Sequence, residues 1–95
     1  MIDPGFGFGK TIEQNYQLLA NMHAFRILEV PILAGVSRKS MIYKLLNTKT
    51  EEALHGSTAA HVVALQQGAR ILRVHDVQAA CDAVRVWEQI EKFSR

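Results

Sequence analysis

The sequence contains few cysteine, proline and aromatic residues, and it has no long hydrophobic run. A single cysteine, Cys81, excludes an internal disulfide and supplies no CxxC metal pair. No apolar stretch approaches the roughly 20 residues that are needed to cross a bilayer. No basic segment followed by an apolar core marks a secretion signal at the N-terminus. These absences predict a cytoplasmic protein that does not engage a membrane.

Charge of either sign is also modest. Charged residues make up 21% of the chain and the formal net charge is +2, which is too small to indicate a nucleic-acid partner. A hydrophobic content of 48% is typical of globular proteins rather than disordered ones. With 95 residues the chain is expected to form at most one small domain, residues 1–95.

Three polar clusters each follow a strand-like stretch, and they recur about every 35 residues, which is the length of one βα unit. In parallel α/β folds the carboxyl ends of the strands meet at one edge, where ligands bind. The chain is long enough for about two and a half βα units, whereas a closed (β/α)8 barrel takes roughly 200–250 residues. The clusters are residues 3–10, 37–40 and 73–76.

Local signals predict the elements between the clusters. Thr11 and Gln14 form the pattern of a capping box at the start of a helix. The unbroken apolar run at 32–36 is typical of a parallel strand that is covered on both faces. The remaining predicted elements are a short helix at 41–46, a helix from Thr50 to about Gln67, a strand at 71–74, and a helix from about Val77 to Phe93.

Two packing surfaces are predicted on these helices. The middle of the helix that starts at Thr50 is rich in small residues, which indicates close packing on a neighbouring element. The last helix should bury an apolar stripe formed by Ala80, Val84, Trp87 and Ile90. Cys81 is expected to be a buried, inert thiol on the same side.

The first cluster does not match either common nucleotide-binding pattern. A P-loop needs glycine where Pro4 stands, and the alternating glycines do not fit GxGxxG, so a tight turn is expected. Asp3, at the end of a strand, can accept two hydrogen bonds from a planar amidine-like edge such as that of a 2-amino-4-oxo pyrimidine. Phe6 or Phe8 can stack on such a ring.

The second cluster indicates an anion site. Lys39 and Ser40 precede a short helix, whose first N–H groups and partial positive charge favour anions. Ser40 serves either as a helix cap alone or as a cap and a ligand contact. Arg38 is interpreted as a solvated or inter-helix charge.

The third cluster also suggests an anion site. Arg73 and His75 share one face of their strand and offer donors to a phosphate or diphosphate. The alternatives are an ion pair between Arg73 and Asp76, or Asp76 acting as a helix cap. The other histidines lack ligand spacing and are assigned to surfaces or to packing: His23, His55 and His61.

The ordered set of these strings resembles the C-terminal portion of bacterial dihydropteroate synthases. The resemblance extends over essentially the whole chain in order, spacing and flanking residues. The strings that carry it are DPGFGFGK at 3–10 with Asn15 downstream, GVSRKSMI at 35–42, GS at 56–57, GA at 68–69 and RVHDV at 73–77.

The resemblance implies an α/β fold, the C-terminal part of a TIM barrel. It implies an enzyme of folate biosynthesis, a sulfonamide target, that condenses a dihydropterin methyl diphosphate with p-aminobenzoate. Mg²⁺ is the implied cofactor, with its ligand outside this chain. By motif, the pterin-binding residues are Asp3, Gly7, Phe8 and Lys39, the p-aminobenzoate residue is Ser40, the diphosphate residues are Arg73, Val74 and His75, and the catalytic residues are Lys39, Arg73 and His75.

Two other functions remain open from the sequence. One is the pterin domain of a methyltetrahydrofolate methyltransferase, and the other is a non-catalytic part-barrel used for assembly. Because the resemblance places further contacts and two mobile loops on segments that this sequence lacks, the isolated chain is expected to be inactive. Exposed parallel strands also predict that it associates as a homo-oligomer or with a complementing barrel segment.

Overall fold

The computed structural model describes residues 1–7 and 9–94. Helices and short strands alternate along these residues. The α-helices are α1 (Ile12–Ala20), α2 (Ser40–Tyr43), α3 (Leu54–Gln66) and α4 (Val77–Lys92), the strands are β1 (Ile32–Ala34) and β2 (Ala69–Leu72), and 3₁₀ segments span Met22–Leu28 and Thr50–Glu52.

The strands form a parallel sheet with β1 in the middle. β1 pairs with β2 in parallel, with Leu33 opposite Ile71. On its other side β1 forms a parallel bridge to Ile2, whose carbonyl accepts the Leu33 N–H at 2.7 Å. Every residue of β1 is buried, as the unbroken apolar run predicted. The sheet therefore contains the ends of three successive βα units.

The start of α1 matches its sequence signal. The Thr11 hydroxyl accepts the Gln14 N–H at 3.1 Å, and the Gln14 side chain accepts the Thr11 N–H at 2.9 Å. These two bonds satisfy N–H groups that the first turn of a helix leaves without partners. The Tyr16 hydroxyl then donates to the Met41 carbonyl at 2.8 Å, which joins α1 to α2. Burial raises the pKa of Tyr16.

The small-residue face of α3 packs closely on α2, as predicted. A Cβ on Gly56 would lie 2.6 Å from Ile42 Cγ2 and 2.8 Å from Leu46 Cδ1, so only glycine fits without a shift. Ser57, Ala60 and Ala64 on the same helix are buried. α3 thereby covers the sheet and positions α2 directly after β1.

A single apolar core joins the sheet to the helices. Met22 and Met41 are fully buried in it, and burying each such side chain stabilises the fold by about 1.5–3 kcal/mol. The core cluster comprises Phe6, Leu19, Met22, Ile32, Ala34, Val36, Met41, Ile42, Ala53, Ala60, Ala64 and Ala69.

Several predicted boundaries are wrong. The last strand is 69–72 rather than 71–74, because Gly68 ends α3 at φ +105° and leads directly into the ladder. The helix predicted from Thr50 is divided at the buried Ala53, and α2 ends at Tyr43.

The burial predicted for the last helix is only partly right. On α4, Ala80 is buried but Ile90 is 61% exposed, and Cys81 is exposed rather than buried. Within residues 1–7 and 9–94, no helix is long and apolar enough to span a bilayer.

Candidate functional site

The three polar clusters lie at the same edge of the sheet. Ile2 and β2 flank β1 in parallel, so the residues that follow each strand leave the sheet side by side. The ladder extends one residue beyond β2, where the Arg73 N–H donates to the Ala34 carbonyl at 3.1 Å. The edge therefore carries Asp3, Lys39 and Arg73 on adjacent strand ends, which is the geometry of ligand sites in parallel α/β folds.

Lys39 joins the second cluster to the first. Its Nζ donates to the Phe6 carbonyl at 2.7 Å. Its side chain lies over Gly7, where a Cβ would be 3.5 Å from Lys39 Cδ. Gly7 has φ +109°, which side chains rarely tolerate. Glycine at this position lets the loop adopt its shape and lets the lysine lie against it.

Asn15 on α1 holds the same loop from below. It is 2% exposed, and its Oδ1 accepts the Gly7 N–H at 2.9 Å while its Nδ2 donates to the Thr11 carbonyl at 3.1 Å. Asn15 was identified from the sequence only as part of a motif, without a physical role. The available signal was a polar residue on the helix face that also carries the apolar Leu19. A buried amide is almost always hydrogen-bonded, so Asn15 could have been predicted to hold a neighbouring segment.

Asp3 is exposed and lies in a local turn. Its Oδ1 accepts the Gly5 N–H at 2.9 Å, and the Lys10 ammonium donates to the Gly5 carbonyl at 2.7 Å. An ionised carboxylate has about four acceptor positions, so a single backbone bond leaves most of its capacity available. Phe8, predicted as part of the same pocket, lies outside the described residues.

The second and third clusters are joined by Ser37 and His75. Ser37 is 4% exposed, and its Oγ accepts the His75 backbone N–H at 3.2 Å and lies 2.9 Å from His75 Nδ1. This contact fixes one side of the imidazole against the loop after β1. Ser37 was identified from the sequence only as part of the cluster at 37–40, so its pairing with His75 was not predicted.

Arg38 and Asp76 form a second link. Asp76 pairs with Arg38, so the alternative of an ion pair between Arg73 and Asp76 is not found. Arg38 is the inter-helix charge that one of its two interpretations described, rather than a solvated one. Arg38 also donates from Nη1 to the Thr50 carbonyl, and its own N–H donates to Ser57 Oγ. Arg38 has φ +53°, a strained backbone conformation that these contacts hold in place.

Hydrogen bonding favours the charged form of both partners in this pair. The bond from Arg38 holds the pKa of the Asp76 carboxyl below its usual range, and the bond to Asp76 raises the pKa of Arg38. Asp76 occupies the N-cap position of α4, but its side chain does not cap the helix. The alternative in which Asp76 caps α4 is therefore right for its N-cap position and wrong for its side chain.

Ser40 does not cap α2. The N-cap residue is Lys39, and Ser40 is the first residue of the helix, with a half-exposed side chain beside the edge. The helix cap that both interpretations gave to Ser40 is thus wrong, while a ligand contact stays a prediction.

Arg73 and His75 are exposed at the edge, and Val74 between them points elsewhere. Val74 lines a groove of about 750 Å³ between β2 and α4, together with Leu72, Val84 and other largely apolar neighbours. This alternation agrees with the predicted faces of the strand. The groove is separate from the polar edge, so the Val74 side chain does not face Arg73 and His75.

The described residues do not suit a magnesium site. No group of three or more His, Cys, Asp or Glu side chains converges within residues 1–7 and 9–94. Mg²⁺ requires oxygen ligands in near-octahedral geometry. The two carboxylates near the edge, Asp3 and Asp76, lie in different loops, and Asp76 is bound to Arg38.

Known proteins are similar to this chain in sequence and in structure. A family model described as pterin binding enzyme matches residues 1–75. The dihydropteroate synthase of Escherichia coli K12 is 52% identical over 88 residues, which cover 93% of this chain and 31% of that protein. The chain thus spans about a third of the length of the curated relatives it matches.

Solved structures agree. The 7,8-dihydropteroate synthase of Vibrio fischeri ES114 is similar over 98% of this chain and 34% of its own, with a TM-score of 0.95 and 48% identity. The synthase of Xanthomonas albilineans in complex with 7,8-dihydropteroate is similar over 95% of this chain and 36% of its own, with a TM-score of 0.91 and 50% identity. The predicted fold, the C-terminal part of a TIM barrel, is confirmed, and the chain belongs to the pterin binding enzyme family, with dihydropteroate synthases as its relatives.

Proposed function

We propose that residues 1–95 are part of the pterin-binding barrel domain of a dihydropteroate synthase, a cytoplasmic transferase of folate biosynthesis. The complete enzyme would join a dihydropterin methyl diphosphate to p-aminobenzoate and release diphosphate. The observation that carries this proposal is the position of Asp3, Lys39 and Arg73 after the ends of adjacent parallel strands. Sequence identities of 50% and 52% to named dihydropteroate synthases support the same conclusion.

Each end of the first substrate has a suitable partner at this edge. Asp3 retains acceptor capacity for the planar N–H edge of a pterin. Lys39 reaches over the loop that contains Gly7, and one of its three N–H groups is used by the Phe6 carbonyl. The other two N–H groups of Lys39 can donate to the pterin. Phe8 is proposed as a wall of the pocket.

The diphosphate has two exposed donors. Arg73 offers a planar fork of N–H groups and His75 offers a ring N–H. Because the Val74 side chain lines the groove beside α4, any Val74 contact to the anion would be made by its main chain. Ser40, beside Lys39, is proposed to donate to the p-aminobenzoate carboxylate.

The reaction is a substitution at the methylene carbon of the pterin. The bond from this carbon to the diphosphate oxygen breaks, and the diphosphate leaves with the electron pair. The arylamine nitrogen forms the new bond with its lone pair and then loses a proton. Arg73, His75 and Lys39 supply fixed positive charge and donors as negative charge accumulates on the leaving group, which is the principal source of rate in such sites.

The described residues do not form a magnesium site, so we propose that any ligand of the implied Mg²⁺ lies on another part of the complete protein. Sulfonamides would compete with p-aminobenzoate near Ser40.

The test measures diphosphate release from the dihydropterin substrate, with and without p-aminobenzoate, in the complete polypeptide that carries these residues. We expect release only with both substrates, and a loss of about 100-fold or more in kcat/KM for Arg73→Met and His75→Gln. Arg70→Met is the matched control. Arg70 lies on β2, its side chain is on the face of the strand opposite to that of Arg73, and it lines the groove beside α4. Methyl transfer without diphosphate binding would support the methyltransferase alternative instead.

The 95-residue chain alone is expected to be inactive and to associate. β2 leaves Ile71 40% exposed, and α4 leaves Val86 61% exposed, so apolar surface lacks cover in the isolated chain. Sedimentation should detect oligomers or a complex with a complementing segment, and a monodisperse, active monomer would contradict both expectations.

A further inference from the structure

Ser37 has an unusual position among the polar groups near the edge. It is buried, yet its Oγ contacts two nitrogens of one exposed residue, the backbone N–H and Nδ1 of His75. It follows the buried Val36, two residues beyond the end of β1, and His75 lies beyond β2. The contact therefore spans two βα units and meets a residue that the proposed function places against the diphosphate.

The donor and acceptor pattern of this contact is restricted. The His75 backbone N–H is a donor, so Ser37 Oγ accepts it with one lone pair. The hydroxyl has a single proton, and buried hydroxyls normally donate it. Among the described residues, His75 Nδ1 at 2.9 Å is the acceptor within reach of that proton. Donation to Nδ1 requires that Nδ1 be unprotonated, which in a neutral imidazole places the ring proton on Nε2.

We propose that Ser37 is a positioning residue that holds His75 as its Nε2–H tautomer and fixes the ring orientation. The hydrogen bonds then run in one direction, from the His75 backbone N–H to Ser37 Oγ and from the Ser37 hydroxyl to Nδ1. His75 thereby presents an N–H donor even when the imidazole is uncharged.

This inference rests on the proposed function, since it assigns the donor to the diphosphate. A neutral donor with a fixed direction would bind the anion without first ordering the ring. Ordering one flexible side chain costs about 0.5–1.5 kcal/mol of affinity, which corresponds to roughly a two- to tenfold change in binding. A released His75 should therefore bind diphosphate more weakly by that factor.

The experiment uses the complete polypeptide that carries these residues, labelled with ¹⁵N-histidine. At pH 8, above the range in which an ordinary imidazole titrates, long-range ¹H–¹⁵N spectra report which ring nitrogen carries the proton. His75→Gln assigns the signals. We expect an unprotonated Nδ1 and a protonated Nε2 in the parent protein, mixed protonation in Ser37→Ala, and the parent pattern in Ser37→Thr, which retains a hydroxyl.

Calorimetry with inorganic pyrophosphate provides the second readout. Ser37→Ala should weaken pyrophosphate binding by roughly two- to tenfold, and Ser37→Thr should restore it. Ser57→Ala is the matched control, because it removes a buried hydroxyl that contacts Arg38 and not His75. It should leave the His75 pattern unchanged.

A proton on Nδ1 in the parent protein would overturn the inference, and so would a Ser37→Ala protein with an unchanged His75 pattern. The parent spectrum alone decides the tautomer if Ser37→Ala does not fold. Failure of the proposed function is distinguishable, because His75→Gln would then bind pyrophosphate as tightly as the parent whatever tautomer the spectra report.

Discussion

Arg38 and Asp76 are joined by two parallel hydrogen bonds of 2.9 Å, from Nε and Nη2 of the guanidinium to the two carboxylate oxygens. This ion pair links the loop after β1 to the start of α4, where Asp76 directly follows His75. It therefore fixes the spacing between the strand end that carries Lys39 and the one that carries Arg73. In planar bidentate pairs of this kind, lysine does not replace arginine.

Arg38→Lys should lower activity while the charge is kept. Lysine cannot make both bonds to Asp76 and still reach the Thr50 carbonyl, so the two loops lose their fixed spacing. We expect kcat/KM of the complete enzyme to fall roughly 10- to 100-fold, as misplacement of binding groups does. Arg85→Lys, at an exposed position on α4, is the control and should keep full activity. Equal kinetics for the two variants would refute the positioning role of Arg38.

Acidification should remove the contribution of Asp76 to stability. Its folded pKa lies below that of an unfolded aspartate, about 3.9, so the contribution is complete above that value and disappears as pH falls through the folded pKa. The stability difference between the parent and Asp76→Asn should persist above about pH 5 and should shrink below about pH 4. Denaturant titrations at each pH measure it. Asp82→Asn, which removes an exposed carboxylate that accepts a hydrogen bond from Gln78, is the control variant.

His61 should produce a different pH dependence. It is 3% exposed, its Nε2 has no hydrogen-bond partner among the described residues, and burial lowers its pKa despite the opposing charge of Asp76. Between the folded pKa and about 6.5 the unfolded chain binds more protons, so stability should fall as pH decreases from 6.5. His61→Leu should flatten that slope, whereas replacement of the exposed His55 by leucine should leave it unchanged. An unaltered slope in His61→Leu would show that another group is responsible.

Lys39→Met tests the link between the first two clusters. The variant keeps an apolar stem over Gly7 and loses the charged donor to the Phe6 carbonyl. Hydrogen bonds to charged groups contribute about 1.5–3 kcal/mol, so pterin binding by the complete enzyme should weaken roughly 10- to 100-fold. Lys10→Met is matched, because Lys10 makes a similar bond to the Gly5 carbonyl in an exposed part of the same loop. Calorimetry with a pterin should find the control close to the parent.

Gly56→Ala should destabilise the fold. Overpacking typically costs about 1–3 kcal/mol, and alanine recovers about 1 kcal/mol of helix propensity, so the net loss should be up to about 2 kcal/mol. The added methyl meets Ile42 and Leu46. Leu46→Ala in the same chain should relieve part of the loss, and a double-mutant cycle by denaturant unfolding measures that coupling. Strict additivity of the two changes in unfolding free energy would mean that the Leu46 side chain moves away from the added methyl without cost.

Local signals were sufficient for much of the fold. The capping box of Thr11 and Gln14 and the buried run that contains β1 depend on neighbouring residues, so they could be predicted from the sequence. The last strand, β2, was predicted two residues late, because the ladder is set by pairing with β1 rather than by local propensity.

Prediction of the site was limited for the same reason. Motifs identified Asp3, Lys39, Arg73 and His75 as residues of one edge, and repeated strand ends are a signal that a sequence can carry. Which acid pairs with which base depends on distances between units that local patterns do not encode. The pairing of Asp76 with Arg38, rather than with its neighbour Arg73, was therefore visible only in three dimensions.

The contacts of Ser37 with His75 and of Arg38 with Asp76 join consecutive residues of one loop to consecutive residues of another, each with a separation of 38 positions. Adding or deleting one residue inside either of these loops would displace both pairs together. Homologues should therefore vary in length within the crossover, for example between α2 and α3, and not at these two turns. Engineered insertions such as tags or epitope loops are best placed in the crossover for the same reason.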